Sequence, residues 1–146
     1  MPKAQEYAIL WVDDLKEDSL GENNYFDFWY NIYLKHDKKE VFCMDINIIK
    51  QLCFEHKIKW STHAAARIRE RGIKRSDVLC CLSDGEVIED YPEDFPFPSC
   101  LVFGHATNGS VIHVVVGYDM EYLYIVTAYI PDNTKFEEDL KTRKER

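Results

Sequence analysis

Within the stretch Trp60-Ser-Thr-His-Ala-Ala-Ala-Arg-Ile-Arg-Glu-Arg-Gly-Ile73, a histidine and two arginines recur at every fourth position. On a helix, His63, Arg67 and Arg71 therefore share one face. Like charges so placed repel, and no carboxylate stands four residues ahead of any arginine here, so the stripe does nothing for helix stability. It is either a solvated face or an anion site. Histidine transfers protons near neutrality because its ordinary pKa is about 6.5. Arginine suits phosphate because its planar fork makes two parallel bonds. Together these types could move protons at a phosphate held by positive donors, as phosphodiester cleavage requires. His63 would be the base, Arg67 and Arg71 the clamps, with Arg69 and Arg75 as further phosphate donors.

The elements that must position this face can be read from local signals. Ser61 or Thr62 can cap the helix and Gly72 suits the left-handed position just past its end. Upstream, Asp45 can cap a helix whose Ile46, Ile49, Leu52 and Cys53 form an apolar stripe. Downstream, Lys74 to Leu82 reads as a helix with Val78, Leu79 and Leu82 facing inward, ended by Asp84-Gly85. Four strands follow: Glu86 to Tyr91, Cys100 to His105, Ser110 to Gly117 and Tyr122 to Ile130. Asn108-Gly109 is the dipeptide of a type I′ hairpin turn. The charged tail from Asp132 to Arg146 reads as partly helical. Helices first and an antiparallel meander afterwards predict an α+β fold, with N-terminal helices packed on a four-stranded, mainly antiparallel sheet.

Two strands carry further candidates. His113 lies on the side of Val111 and Val115, as a second proton-transfer group or as a core-edge histidine bonded to a backbone carbonyl. Thr127 and Tyr129 are two apart and share a face; Tyr129 could orient or stack on a nucleotide and Thr127 could bond a phosphate oxygen.

At 146 residues and 46% hydrophobic, the chain suffices for one small domain with a proper core. No apolar run approaches the ~20 residues of a membrane helix. The five cysteines are odd in number and lack C-x-x-C spacing, which favours reduced, buried thiols in a cytoplasmic protein. A net charge of −8 is a poor match for bulk nucleic acid. The charge is unevenly spread, however. Lys57 to Arg75 holds seven Lys or Arg and one acid, whereas Asp84 to Asp94 holds six acids and no base. Any phosphate site is thus focused, not a broad surface. The acidic strand is either a solvated sheet edge or an internal partner for the arginine stripe, which would silence it.

Residues 1–43 differ from the rest, mixing aromatics such as Tyr25, Phe26, Trp29 and Tyr33 with acids and amides. A strand at Tyr7 to Val12 and a helix at Phe26 to Leu34 are the elements expected there. Lys38 to Met44 can be encoded with a purine-rich ribosome-docking sequence just before an ATG. This raises the expectation that residues 1–43 are a translated leader and 44–146 the domain; the alternative is an acidic, aromatic arm that covers the basic face.

Taken in order, His63-x-x-x-Arg67-x-x-x-Arg71-Gly72-Ile73, Gly85-x-Val-Ile88, Leu101-Val-Phe-Gly104, His113-Val-Val and Val126-Thr-Ala-Tyr-x-Pro131 resemble a bacterial domain of unknown function, the family numbered forty-two fifty-eight. The resemblance spans about residues 58–131. One departure is Lys74, where the family commonly has a serine after Gly-Ile. That family is thought to resemble ribonuclease toxins of the RelE-like, barnase–EndoU–colicin type, and some members adjoin a zinc-finger antitoxin. The resemblance implies a small RNase-type α+β fold, a toxin–antitoxin endoribonuclease acting without metal or cofactor, and RNA and an antitoxin as partners. The alternative is a non-catalytic module of the same fold that binds a protein or an anion.

Overall fold

The computed structural model describes residues 44–145 apart from Pro96. The elements expected before Met44 lie outside the described residues. Three helices and five strands follow: α1 (Ile46–Phe54), β1 (Ile58–Trp60), α2 (Thr62–Glu70), α3 (Arg75–Asp84), β2 (Glu86–Tyr91), β3 (Ser99–His105), β4 (Val111–Tyr118) and β5 (Leu123–Tyr129).

The helix boundaries follow from capping chemistry. An Asp45 carboxylate oxygen accepts the Asn47 N–H at 2.9 Å, and the Ser61 hydroxyl accepts the Ala64 N–H at 2.9 Å. Each takes up an amide that has no partner within its helix. Both α1 and α2 end in the same way. Lys57 N–H returns to the Leu52 carbonyl and Ile73 N–H to that of Ile68, across left-handed His56 (φ 57°) and Gly72 (φ 72°). A lysine cannot accept from an amide, so α3 is capped from within: an Asp77 oxygen accepts the Lys74 N–H at 2.9 Å. The other Asp77 oxygen accepts the N–H and hydroxyl of Thr107 at 3.1 and 2.6 Å, tying the hairpin turn to α3.

The sheet runs β1-β5-β4-β3-β2 and is antiparallel except where β1 lies parallel to β5. The expected four-stranded meander is therefore five-stranded. Ile58-Lys59-Trp60 is too short to display an alternating pattern, and all three residues are half-buried. The α+β architecture and the four meander strands agree with expectation to within one or two residues.

One face of the sheet is covered by the helices. Ile49, Ile68, Val78, Cys81 and Leu82 pack there against Val102, Ile112, Val114, Val116, Ile125 and Ala128. The inward face of α3 uses Cys81 where Leu79 was expected: Leu79 is 38% exposed, because positions 78, 81 and 82 obey the helical period. α3 lies so close to β3 that a Cβ on Gly104 would stand 2.7 Å from the Cys81 sulfur, which explains a glycine inside a central strand.

Two more expectations are corrected. The β3–β4 connection is not a type I′ turn, since Asn108 is not left-handed; Gly109 alone is (φ 85°), after a turn closed by Gly109 N–H to the Ala106 carbonyl. This is a type I turn followed by a left-handed glycine. The tail forms no helix between Asp132 and Glu145. Asp132 and Asp139 instead accept amides two or three residues onward, a turn-forming competition with the helix. A bridge joins Phe136 to Arg143.

Candidate functional site

A bulge in β5 decides which side chains reach the site. Val116 pairs with Ile125 but Val115 pairs with Thr127, leaving Val126 as the extra residue. Strict alternation would have placed Thr127 and Tyr129 with Leu123 and Ile125 in the core. The bulge turns them to the opposite face, beside His113 and Val115, and sends Ala128 inward. Bulges commonly re-aim side chains in this way.

β1 pairs with Leu123 to Ile125 only, so β5 beyond Ile125 extends past its neighbour. Arg71 reaches this margin, which no other described strand pairs with, from the end of α2. Its Nη1 donates to the Thr127 hydroxyl and to the Ala128 carbonyl, each at 2.8 Å. The guanidinium is thereby fixed through one nitrogen. Its Nε and Nη2 have no acceptor among the described residues, and the side chain is exposed. His63 and Arg67, half-buried, lie two turns and one turn nearer the helix start, while Arg69 and Arg75 are exposed. The Arg75 guanidinium stacks 5.0 Å from the Trp60 ring centre.

His113, opposite Tyr129 across the ladder, is wholly buried. Its Nε2 is 2.7 Å from the Leu140 carbonyl and its Nδ1 3.3 Å from the Tyr129 hydroxyl. A carbonyl only accepts, so Nε2 carries the proton, and the tyrosine O–H donates to Nδ1. Burial pushes the His113 pKa below its ordinary 6.5 and that of Tyr129 above its ordinary 10.0. The imidazole is thus neutral, in one tautomer, ringed by Phe103, Tyr129 and Phe136; the Phe136 ring meets it edge-on at 4.7 Å.

The cover over His113 comes from the tail. Phe136 is 1% exposed beneath the Arg143 guanidinium. Arg143 pairs with Glu89 and Lys141 with Glu86, and the Tyr91 hydroxyl also donates to Glu89. Asp90 accepts the Met44 N–H at 3.3 Å. The acidic strand β2 is therefore engaged at the sheet margin far from β1, with the tail and not with Arg71. Sequence reasoning missed Phe136, Leu140, Arg143 and Asp77. A lone aromatic within Lys135-Phe-Glu-Glu138 was the one available sign of a buried anchor.

The structure thus gathers Arg71, Thr127, Tyr129 and His113, which come from three separate places in the chain: the end of α2, β4 and β5. The thiols stand apart from this group: Cys81 and Cys100 are fully buried, and burial raises the Cys81 pKa to about 12. Among the described residues no group of three His, Cys, Asp or Glu is placed to hold a metal ion, and no helix is long and apolar enough to cross a membrane. No curated protein and no solved structure matches the chain. Residues 60–130, which carry α2, the four-stranded meander and every gathered side chain, match the model of the family described as Domain of unknown function (DUF4258).

Proposed function

We propose that this domain is a metal-independent endoribonuclease of the toxin–antitoxin type, with RNA phosphate held at the β5 margin by Arg71. The observation that carries the reading is the state of that arginine. One nitrogen is spent on the sheet while the side chain as a whole stays exposed and its other donors have no acceptor among the described residues, so a phosphate would meet a fork already oriented. Arg67, Arg69 and Arg75 extend the positive field along the path of a strand. Thr127, which accepts from Arg71, flanks the same position, with Tyr129 two residues on along the same face, and His63 supplies the general base from the first turn of α2. A RelE-like relationship and an antitoxin protein as inhibitor belong to this reading.

A second reading is favoured by His113. An imidazole bonded at both nitrogens and wholly buried is not placed to exchange protons with a substrate. A non-catalytic module that binds an anion or a protein through the same arginines accounts for that arrangement without chemistry.

The test is cleavage of a mixed-sequence RNA by the full chain, with EDTA present, beside the variants His63→Ala and Arg71→Ala. Cutting by the parent chain and not by His63→Ala supports the enzyme. RNA binding that survives His63→Ala but not Arg71→Ala, with no cleavage by any of the three, supports the binding module.

A further inference from the structure

On the helix side of β1 the surface opens into a groove of about 460 Å³, lined by Lys50, Cys53, Phe54, His56, Ile58, Trp60, Leu79 and Ser83. Its walls are aromatic and aliphatic. Phe54 is 86% exposed and Leu79 38%, an unusual outlay of apolar area on a small domain. Lys50 supplies the positive charge of the lining, His56 a ring N–H donor, and no carboxylate takes part. His56 is held there by the left-handed turn that ends α1 (φ 57°), a conformation that glycine adopts more readily. Arg75 stacks on Trp60 and fixes one wall, whereas Phe54 keeps an open ring face.

We infer that this groove is a base-stacking subsite for single-stranded RNA, in which an unpaired base lies on Phe54 against the Trp60 wall and Lys50, His56 and Arg75 face its phosphates. Aromatic walls with cationic rims and no acids are what a sequence-tolerant single-strand site requires, since every base offers a π-face and every link a negative charge. Arg75, stacked on the Trp60 wall, links the groove to the basic end of α2. Arg75 follows Arg71 by four residues across the Gly72 turn, so their Cα atoms lie within about 14 Å. One strand could then engage both. The inference rests on the reading of the Arg71 site as an RNA site, but it concerns binding and not cleavage.

The experiment measures binding of a fluorescently labelled, mixed-sequence single-stranded RNA and of the same sequence as a duplex. The full chain is used in EDTA, with Phe54→Ala, Phe54→Tyr and Lys50→Ala; Phe54 is so exposed that its replacement leaves the fold intact. The parent chain should prefer the single strand. Phe54→Ala should weaken that binding about tenfold and abolish the preference over duplex, Phe54→Tyr should restore both, and Lys50→Ala should reduce the dependence of affinity on salt. Equal affinities for parent and Phe54→Ala, or no single-strand binding by the parent, would overturn the subsite. A peptide or a second copy as the true occupant would show as the first of these results. The Phe54 effect without any cleavage would uphold the groove and remove the enzymatic reading; cleavage with no Phe54 effect would do the reverse.

Discussion

The two faces of the sheet are sealed by different means. The helix-covered face is aliphatic, and Val78, Leu82, Val102, Val114 and Ile125 are wholly excluded from water. The tail-covered face is built from His113, Tyr129, Phe103 and Phe136, held by directed bonds and by ion pairs at its rim. Apolar burial is undirected and scales with area, so the first face can be sealed by any well-filled set of side chains. The second depends on a few specific partners. One face keeps the domain folded, and the other can respond to conditions while the fold persists.

The largest expected effect should fall on the helix-covered face. Leu82→Ala removes a wholly buried side chain between α3 and the sheet and should cost about 2–5 kcal/mol, seen as a lower urea midpoint for the whole domain. On the tail-covered face, Phe136→Ala should cost less, about 1–3 kcal/mol, because the tail can detach by itself. Hydrogen exchange should show faster exchange across the tail with β3–β5 still protected. A domain-wide loss as large as that of Leu82→Ala would erase the contrast between the faces.

Acid should separate the faces further. The folded state holds the His113 pKa below its ordinary 6.5, so between the two values the unfolded chain binds a proton that the folded chain does not. Stability from this group is complete above about pH 6.5 and declines as the pH falls through that value toward the folded pKa. His113→Gln, which keeps a donor for the Leu140 carbonyl, should flatten that part of the pH–stability curve; an unaltered slope would assign the pH dependence elsewhere. The smallest effect should be Arg143→Ala. Its pair with Glu89 is partly exposed and contributes about 0.5–1 kcal/mol, so tail exchange should quicken with the urea midpoint barely moved.

How much of this was legible in the sequence divides along the same line. Caps and strands on the helix side depend on neighbours a few residues apart, so Ser61, Gly72 and the Glu86–Tyr91 strand could be placed from local chemistry. Arg71, Thr127 and Tyr129 could be nominated by type and spacing. Their meeting could not, because it depends on the Val126 bulge and on β1 ending early, two tertiary facts with no local mark. The tail was misread because its charges resemble a solvated helix, whereas Asp132 and Asp139 turn it and Phe136 anchors it through contacts more than twenty residues away in sequence.

The close approach of α3 to Gly104 has a kinetic consequence. With the Cys81 sulfur pressed against the strand backbone and its thiol held protonated by burial, neither an alkylating reagent nor an oxidant can add to it until the two layers part. Cys80, half-buried near the surface, faces no such barrier, while burial raises the pKa of the Cys53 thiol to about 11 and slows its reaction without enclosing it. Among the described residues the domain therefore carries an internal timer: slow modification at Cys81 and Cys100 counts complete openings of the molecule, and fast modification at Cys80 counts only the passage of reagent.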